Sequence, residues 1–468
     1  MSDIMKAEKD KVKIRMYRQG LGDCFLLTFN GAGNRAKYML IDFGVLMGTY
    51  NDAKKMKDVA KNIKEATGGH LDVLVVTHEH WDHISGFVKA EEIFKQITVD
   101  RVWFGWTEDP DNELANELRK KKGLYLDALK MAAQKMHAGN TAFAAKLDGM
   151  LSFYGEQLGV KSKKGSDYIM KMLKKKGKED PRYCYPGGQP VDVPGLEELR
   201  FFVLGPPEDR SLLKRSRPRQ GEVYLTDADT GLFDTLLHRL GGEMAAVDGM
   251  APDKDGEKCP FDPRYMLQAD AEGYDKDFFD THYYDDEQQW RTIDDKWLDV
   301  AGDLALKLDS HTNNTCLVLS IELKKSGSVL LFPGDAQVGN WLSWEDVTWQ
   351  VDGEEVTSRD LLARTVLYKV GHHGSHNATL REKGLERMTD DRLAAMIPVD
   401  GKMAEKKRWK MPYEPLYERL QSLCKGRIIR LDTGTPEDKP AGVNRREWDN
   451  FKSRVSAENK LYIEYTVE

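Results

Sequence analysis

The sequence has no uninterrupted apolar stretch that approaches the ~18–20 residues needed to cross a bilayer. Its first twenty residues, MSDIMKAEKDKVKIRMYRQG, are polar and charged and lack the apolar core of a secretory signal. These absences argue against a membrane-spanning protein and lead us to expect a cytoplasmic one. No feature of the sequence predicts the oligomeric state.

Cysteine is also scarce, and no two cysteines form a C-x-x-C pair. An odd number of dispersed thiols argues against a disulfide framework and against a thiolate zinc site. We interpret the five as core thiols in a reducing compartment. They are Cys24, Cys184, Cys259, Cys316 and Cys424.

Several catalytic motifs are missing as well. The sequence contains no G-x-S-x-G nucleophile elbow, no G-x-x-x-x-G-K-[ST] phosphate loop and no G-x-G-x-x-G between a strand and a helix. The Gly20-Leu21-Gly22 run is interpreted as a turn. Serine-hydrolase and nucleotide-loop chemistry are therefore not expected.

Strand-like runs lie near both ends of the 468-residue chain, with helical patterns between them. We predict an α/β sandwich whose two sheets pack face to face, formed by residues 1–100 and 311–468. Residues 101–310 are predicted to be an insertion, basic and helical over 111–178 and acidic and irregular over 243–309. The apolar runs are KVKIRMY, CFLLTF, KYMLIDFG, LDVLVVT, LRFFVLG, TCLVLSIEL, SVLLFPGD, TVLYKVGHHG, AAMIPVD, GRIIRLD and LYIEYTV.

Charge is unevenly distributed, although the net charge of -7 is modest. Residues 119–178 carry fifteen Lys and Arg against four acidic residues. Such a segment could neutralise the phosphates of DNA or RNA. The alternatives are a solvated helix face, or an acidic segment 243–309 that packs against the basic one and cancels it.

The strongest chemical feature is THEHWDH, which follows the apolar LDVLVV run. In an extended segment, residues two apart project to the same side. His78 and His80 can therefore hold one metal ion, while Asp82 and His83 face a second ion or a water shared by two ions. Imidazole and carboxylate ligands suit Zn²⁺, Mn²⁺ or Fe²⁺.

Two further strand ends carry ligand-type side chains. Asp335 follows SVLLF, and His372 and His373 follow TVLYKV. If these strands are neighbours, their ends converge at one edge, where open α/β sheets usually bind ligands. Only one of the adjacent histidines can easily face the metal. We expect it to be His372, with His373 contacting the substrate phosphate or leaving group, and the reverse remains open.

This order of motifs resembles the metallo-β-lactamase superfamily. GLGDCFLLTF, LIDFG, NNTCLVLSI, LLFPGDA and KVGHHGS are similar to blocks of the nuclease domain of ComEC competence proteins and of phosphorylcholine esterases. The resemblance covers roughly residues 12–100 and 311–432. It implies a four-layer αββα sandwich, two divalent ions (zinc, with manganese as the alternative) and a phosphodiester substrate.

The resemblance also implies a role for each matching residue. His78 and His80 would hold the first ion, Asp82 and His83 the second, and Asp335 would bridge them. The remaining candidates are His372 at the second ion, Asp42 orienting the ligands, His311 as a further ligand, Asn313 or Asn314 in place of His311, and Ser375 and His376 in the surrounding loop.

The expected mechanism uses a water activated between two ions. Asp82 would orient that water and take its proton, and His373 would assist the leaving group. Thr379 and Glu382 have the spacing of a capping box, which predicts a helix whose N-terminus favours an anionic substrate group.

Three functions remain open at this point. The first is a metal-dependent nuclease or phosphodiesterase. The second is a hydrolase of a small ester, lactone, amide or phosphorylated head group, with the insertion as a lid. The third is a non-catalytic scaffold, which the nearly complete set of ligands disfavours.

Overall fold

We analysed a computed structural model of the chain. The structure describes residues 4–136, 150–156, 164–215, 218–219, 221–224, 275–282, 312–407 and 409–468. His311, Cys259 and most of the acidic segment 243–309 lie outside the described residues, so the predictions made for them are untested.

The described strands follow one another along the chain as β1 (Val12–Tyr17), β2 (Phe25–Gly31), β3 (Arg35–Ile41), β4 (His70–Val75), β5 (Thr98–Gly105), β6 (Arg182–Cys184), β7 (Leu199–Gly205), β8 (Val318–Leu323), β9 (Ser328–Phe332), β10 (Thr348–Val351), β11 (Glu354–Thr357), β12 (Thr365–Lys369), β13 (Ala394–Ile397), β14 (Ile428–Arg430), β15 (Val455–Ser456) and β16 (Tyr462–Val467).

The described α-helices are α1 (Asp52–Ala66), α2 (Trp81–Lys89), α3 (Glu91–Phe94), α4 (Glu113–Met136), α5 (Ser166–Leu173), α6 (Arg210–Leu213), α7 (Lys276–His282), α8 (Val338–Ser343), α9 (Ser358–Ala363), α10 (Gly401–Lys406), α11 (Glu414–Leu423) and α12 (Arg445–Ser453).

The strands form two mixed sheets and a separate hairpin of β10 and β11. The first sheet has the order β15-β16-β1-β2-β3-β4-β5-β6, and the second has the order β14-β13-β12-β9-β8-β7. In each sheet one half is antiparallel and the other is parallel: β3 to β6 are parallel in the first, and β9 and β12 to β14 in the second. The parallel halves matter for function because the carboxyl ends of parallel strands lie at one edge of a sheet.

The two sheets pack face to face through large apolar side chains. Phe25 of β2 meets Phe332 of β9 with ring centroids 5.8 Å apart, and Phe201 of β7 meets Phe29 of β2 at 6.4 Å. These rings belong to one buried cluster that draws on both sheets. The predicted α/β sandwich with two facing sheets is confirmed.

Helices cover the outer face of each sheet. On α1, Met56, Val59 and Ile63 recur at helical spacing, are fully buried, and share a core cluster with β3 and β4. Helices α8, α9 and α11 share a second cluster with the outer face of the other sheet. The layering is therefore helix, sheet, sheet, helix.

The helical spacing of Val59, Ile63 and Ala66 predicts a helix from about residue 51 to 67 that Gly68-Gly69 stops, and in the structure α1 ends at Ala66. Both glycines have positive φ, 63° and 77°, a left-handed conformation that ends helices. This sequence prediction of an element and its end is confirmed.

Parts of the segment predicted as an insertion belong to the sheets. The expected boundary at residue 100 lies inside β5, β6 extends the first sheet at its edge, and β7 extends the second. Residues 111–178 are helical where described, through α4 and α5. Within the acidic segment, the short described stretch 275–282 contains helix α7 rather than irregular chain.

The capping-box prediction at Thr379 is wrong, because residues 378–384 form turns and only a short 3-10 turn, Leu385–Arg387, follows. Thr379 does not cap a helix, since its hydroxyl is hydrogen-bonded to the Tyr368 hydroxyl at 2.7 Å. The expected anion site at this helix N-terminus is therefore absent. Among the described residues, no helix is both long enough and apolar enough to cross a membrane.

Candidate metal centre

The H-x-H-x-D-H motif links the end of β4 to the start of α2. His78 and His80 lie in the extended connection, and His80 occupies the position before the first helical residue. Asp82 and His83 lie in the first turn of α2, and all four side chains are buried. The buried strand and the helix start thus position four ligand-type side chains at one edge of the first sheet.

Two chain segments contact the start of α2 closely. The Asp23 amide donates to the Asp82 carbonyl at 3.1 Å, and the Phe43 amide donates to the His83 carbonyl at 2.7 Å. At Gly44, an added Cβ would lie 2.3 Å from the Asp82 carbonyl carbon. The sequence blocks GLGD and DFG therefore support the first turn of α2 through close backbone contacts.

Four buried side chains from both sheets converge beside this turn. The ligand atoms of Asp82, His83, Asp335 and His373 all lie within 4.8 Å of one another. His83 Nε2 is 3.1 Å from Asp335 Oδ2, and His373 Nε2 is 3.1 Å from Asp82 Oδ2. Asp335 follows β9 and His373 follows β12, so the ends of two neighbouring strands of the second sheet meet the loop after β4 of the first sheet.

Asp42 orients the His83 ring through a hydrogen bond to its Nδ1 atom. Its Oδ2 accepts a hydrogen bond from His83 Nδ1 at 2.8 Å, and its two oxygens also accept from the Thr77 amide and hydroxyl at 2.8 and 2.6 Å. Since Nδ1 is engaged, Nε2 faces Asp335. Burial opposes charge on His83, but the carboxylates of Asp335 and Asp23 and their neighbours raise its pKa well above the usual value.

His78 lies between the other two histidines of the motif. Its ring centroid is 4.6 Å from that of His80 and 4.2 Å from that of His83. Its Nδ1 is 3.1 Å from both the Thr77 hydroxyl and the Cys316 thiol. Burial, together with the charge of His83, holds the pKa of His78 well below its usual range, so this imidazole is neutral and able to bind a metal.

Tyr154 contacts His80 from the segment between the predicted halves of the fold. Its hydroxyl lies 3.2 Å from His80 Nε2 and 2.7 Å from the Thr312 hydroxyl. A metal ligand from His80 would therefore be Nδ1. The sequence provided no signal for this contact, because a single tyrosine in a helical stretch has no motif.

The adjacent histidines occupy different environments. His373 is buried in the four-residue cluster, and its Nδ1 donates to the Pro398 carbonyl at 2.9 Å. His372 is 17% exposed; its Nδ1 lies 2.9 Å from the Ser375 hydroxyl and its Nε2 is 4.0 Å from Asp335 Oδ2. The geometry favours His373 as the buried ligand, the reverse of the preference drawn from the sequence.

Both histidines have left-handed backbone conformations, with φ of 42° at His372 and 53° at His373. Such conformations are unfavourable for residues with a side chain and cluster at functional sites. The turn Gly371–Gly374 thus directs the two imidazoles in different directions at a conformational cost.

Two buried charged residues were not anticipated. Lys369 Nζ lies 2.5 Å from Asp23 Oδ2 and 3.6 Å from Asp335 Oδ1. In the sequence, Asp23 resembles a turn residue and Lys369 is one charge at the end of a strand. Only the packing of β12 against β9 and the 19–24 turn brings them together.

The other candidates have different surroundings. Asn314 is buried, and its Nδ2 donates to the carbonyls of Leu213 and Arg215 at 3.2 and 2.9 Å. It ties α6 to the strand region, and its described hydrogen bonds do not reach the cluster. The His376 ring centroid lies 6.2 Å from that of Tyr413.

Cys316 is buried between the His78 ring and the Asp335 amide, which lies 3.1 Å from its sulfur. Burial raises its pKa far above the ordinary thiol value, so it is a protonated thiol. The four described cysteines are all buried and free, as expected for core thiols.

Part of the basic segment is paired within the molecule. Six of its described lysines form ion pairs with acidic residues of the described chain. These pairs are Lys121–Glu117, Lys122–Glu79, Lys130–Glu156, Lys164–Glu91, Lys174–Glu108 and Lys178–Asp100. These ion pairs reduce the positive charge that the segment offers to a polyanion.

The donor set fits a divalent cation. His78 Nε2 and Asp82 Oδ1 are buried and have no hydrogen-bond partner within the described part of the chain. Buried polar atoms are normally paired, so unpaired nitrogen and oxygen atoms in this loop are compatible with a bound ligand. Nitrogen and oxygen donors without a thiolate suit zinc or manganese.

Two other groups of ligand-type residues are accounted for without a metal. In the group Asp23, Asp42 and His83, the imidazole Nδ1 is already hydrogen-bonded to Asp42. In the group around His70, Asp72 pairs with Lys37 at 2.7 Å, and Asp100 pairs with a lysine.

No protein-family model matches the chain, and no curated protein matches it either.

Proposed function

We propose that this chain is a metal-dependent hydrolase with the αββα fold of the metallo-β-lactamase superfamily, acting on a phosphodiester. The observation that carries the proposal is the convergence of Asp82, His83, Asp335 and His373 at the ends of parallel strands from both sheets. The helix, sheet, sheet, helix layering and the motif order support the same assignment.

We propose two divalent ions, zinc or alternatively manganese. His78 and His80 would hold one, Asp82, His83 and His373 the other, and Asp335 would lie between them. When bound, such ions supply Lewis acidity, which lowers the pKa of a water towards neutrality and offsets the negative charge that develops on a phosphoryl group.

The side chains of the centre have separate tasks in this proposal. Asp82 orients the nucleophilic water through Oδ1 and accepts its proton. Asp42 keeps His83 in one tautomer and orientation. His372, on the more open side and hydrogen-bonded to Ser375, donates a proton to the leaving oxygen, the task that the sequence suggested for His373.

A second candidate is a hydrolase of a small ester, lactone, amide or phosphorylated head group. Contacts of residues 113–136 and 150–156 with the loop that carries the histidines favour it: Lys122 forms an ion pair with Glu79, and the Tyr154 hydroxyl lies beside His80. Chain held beside the centre in this way suits a lid over a small substrate. The ion pairs of six lysines in the basic segment also favour a small phosphodiester over DNA or RNA.

Metal content and hydrolysis of bis-p-nitrophenyl phosphate test the proposal. His83→Ala and Asp335→Ala should each lower both zinc content and activity, the latter by about 100-fold or more, since loss of even a supporting residue costs 10–100-fold. His70→Ala is the matched control, because His70 is a histidine near carboxylates at the opposite end of β4. Unchanged metal content and activity in both variants would refute the assignment.

A substrate panel separates the two candidate functions. Single- and double-stranded DNA, RNA and the small diester should be compared over a range of salt concentrations. Polymer cleavage that falls steeply with salt indicates phosphate contacts and a nuclease. Activity confined to the small diester, with little salt dependence, is the outcome we expect from the paired lysines.

A further inference from the structure

Lys369 is a buried cation at the edge of the metal centre. It is the last residue of β12, a strand between β9 and β13, and its side chain is 1% exposed. Its ammonium group lies 2.5 Å from Asp23 Oδ2, 2.8 Å from the Gly334 carbonyl and 3.6 Å from Asp335 Oδ1. The first two contacts are within hydrogen-bond distance, and the third is an ion pair across a longer separation.

A charge in this position requires compensation. Removing an ammonium or a carboxylate from water costs several kcal/mol even after relaxation. Ion pairs and hydrogen bonds with neighbouring groups must therefore supply a similar free energy. The centre also contains buried carboxylates of Asp23, Asp42, Asp82 and Asp335. Lys369 forms ion pairs with two of these carboxylates, those of Asp23 and Asp335.

The two oxygens of Asp335 face different groups. Oδ2 lies 3.1 Å from His83 Nε2, 3.7 Å from His373 Nε2 and 4.0 Å from His372 Nε2. Oδ1 lies on the side of Lys369. Lys369 therefore attracts Oδ1 of Asp335, and Oδ2 of Asp335 faces the histidines.

Asp23 connects Lys369 to the rest of the centre. Its Oδ2 pairs with the ammonium, its Oδ1 is 3.6 Å from His373 Nδ1, and its amide donates to the Asp82 carbonyl. Asp23 thus serves as the counter-ion of Lys369 and not as a metal ligand.

We infer that Lys369, with Asp23 as its counter-ion, is a positioning residue that fixes Asp335 and the Gly334 backbone so that Asp335 Oδ2 is presented to the metal. The inference rests on the proposed metal centre but goes beyond it, because no ligand motif includes either residue. Mutation of a residue that orients metal ligands typically lowers metal affinity by about 10–100-fold.

Competitive titration of zinc against a chromophoric chelator tests the inference on the purified full chain. Lys369→Met should lower zinc affinity by at least about 10-fold. The matched control is Lys37→Met, which removes a lysine paired with a buried carboxylate, Asp72, away from the centre, and it should leave zinc affinity unchanged. With cobalt in place of zinc, the visible absorption of the Lys369 variant should also change, which a general loss of stability does not explain.

The double variant Asp23→Asn/Lys369→Met covers the case in which the single variant does not fold, because it removes the counter-ion together with the lysine. We expect it to fold and still bind zinc at least about 10-fold more weakly than the unmodified chain. Wild-type affinity and cobalt spectrum in a folded variant would overturn the inference while leaving the proposed function intact. An unmodified chain that binds neither zinc nor manganese would overturn both.

Discussion

At the scale of single residues, the centre depends on which nitrogen of each histidine is engaged. Asp42 engages Nδ1 of His83, Thr77 and Cys316 approach Nδ1 of His78, and Tyr154 approaches Nε2 of His80. A histidine that donates through one nitrogen presents the other as a ligand. His78 and His83 would thus bind through Nε2 and His80 through Nδ1.

Tyr154→Phe tests this arrangement at His80. Loss of the hydroxyl should release the imidazole from its orientation and lower zinc affinity by about 10-fold, within the range for supporting hydrogen bonds. Affinity is measured by zinc titration against a chelator, and folding by circular dichroism.

Tyr125→Phe is the control for Tyr154, since Tyr125 lies in the same connecting segment and lines a cavity with Glu79. It should bind zinc as the unmodified chain does. Equal affinities in the two variants would show that the Tyr154 hydroxyl does not orient His80.

At the scale of elements, the recurring unit is a parallel strand followed by a short turn that carries ligands. In β4 the turn continues directly into α2, and in β12 it is the strained turn Gly371–Gly374. The position of α2 depends on its close contact with Gly44, where the backbones leave no space for a side chain.

Gly44→Ala should therefore displace the first turn of α2. A methyl group 2.3 Å from the Asp82 carbonyl must push two backbones apart, and overpacking of this kind costs about 1–3 kcal/mol. We expect a lower Tm and weaker zinc binding, because Asp82 and His83 move with the helix.

Gly123→Ala is the corresponding control. Gly123 lies in α4 with nothing near its added methyl group, so alanine should raise stability slightly through helix propensity. A Gly44→Ala chain with the Tm and zinc affinity of the unmodified protein would show that the contact with α2 is not restrictive.

At the scale of the whole molecule, the candidate metal centre lies where the two sheets meet. Asp82 and His83 come from the first sheet, and Asp335 and His373 come from the second, so a bound metal would link the two halves. Any ligand that binds only the folded state stabilises it, by about 2.7 kcal/mol at a concentration 100 times its Kd.

Thermal unfolding with zinc and with a chelator should therefore differ, and the difference should grow as the pH rises from 6.5 towards 9. In the metal-free chain the raised pKa of His83 favours folding fully below 6.5, the ordinary histidine value, and this stabilisation is lost as the pH rises through the raised pKa. Zinc binding shows the opposite trend, because it requires neutral imidazoles. A difference in Tm that is absent, or constant with pH, would contradict a metal held by His83.

Much of the fold was predictable because local patterns determine its elements. The apolar runs correspond to strands, and the helix ending before Gly68 has the expected length. The extent of the sheets was less predictable: β6, β7 and most of β5 lie in the segment expected to be an insertion, since hydrophobic periodicity identifies a strand but not its neighbours.

The sequence by itself determined which residue types surround the centre, because the spacing of THEHWDH, PGDA and GHHG at strand ends is a local property. The tertiary structure decided which atoms meet. It placed His373 rather than His372 in the buried cluster, and it brought Tyr154, Asp23 and Lys369 to the candidate metal centre. These contacts join residues that are distant in the sequence, and they depend on how two sheets pack, which no local spacing encodes.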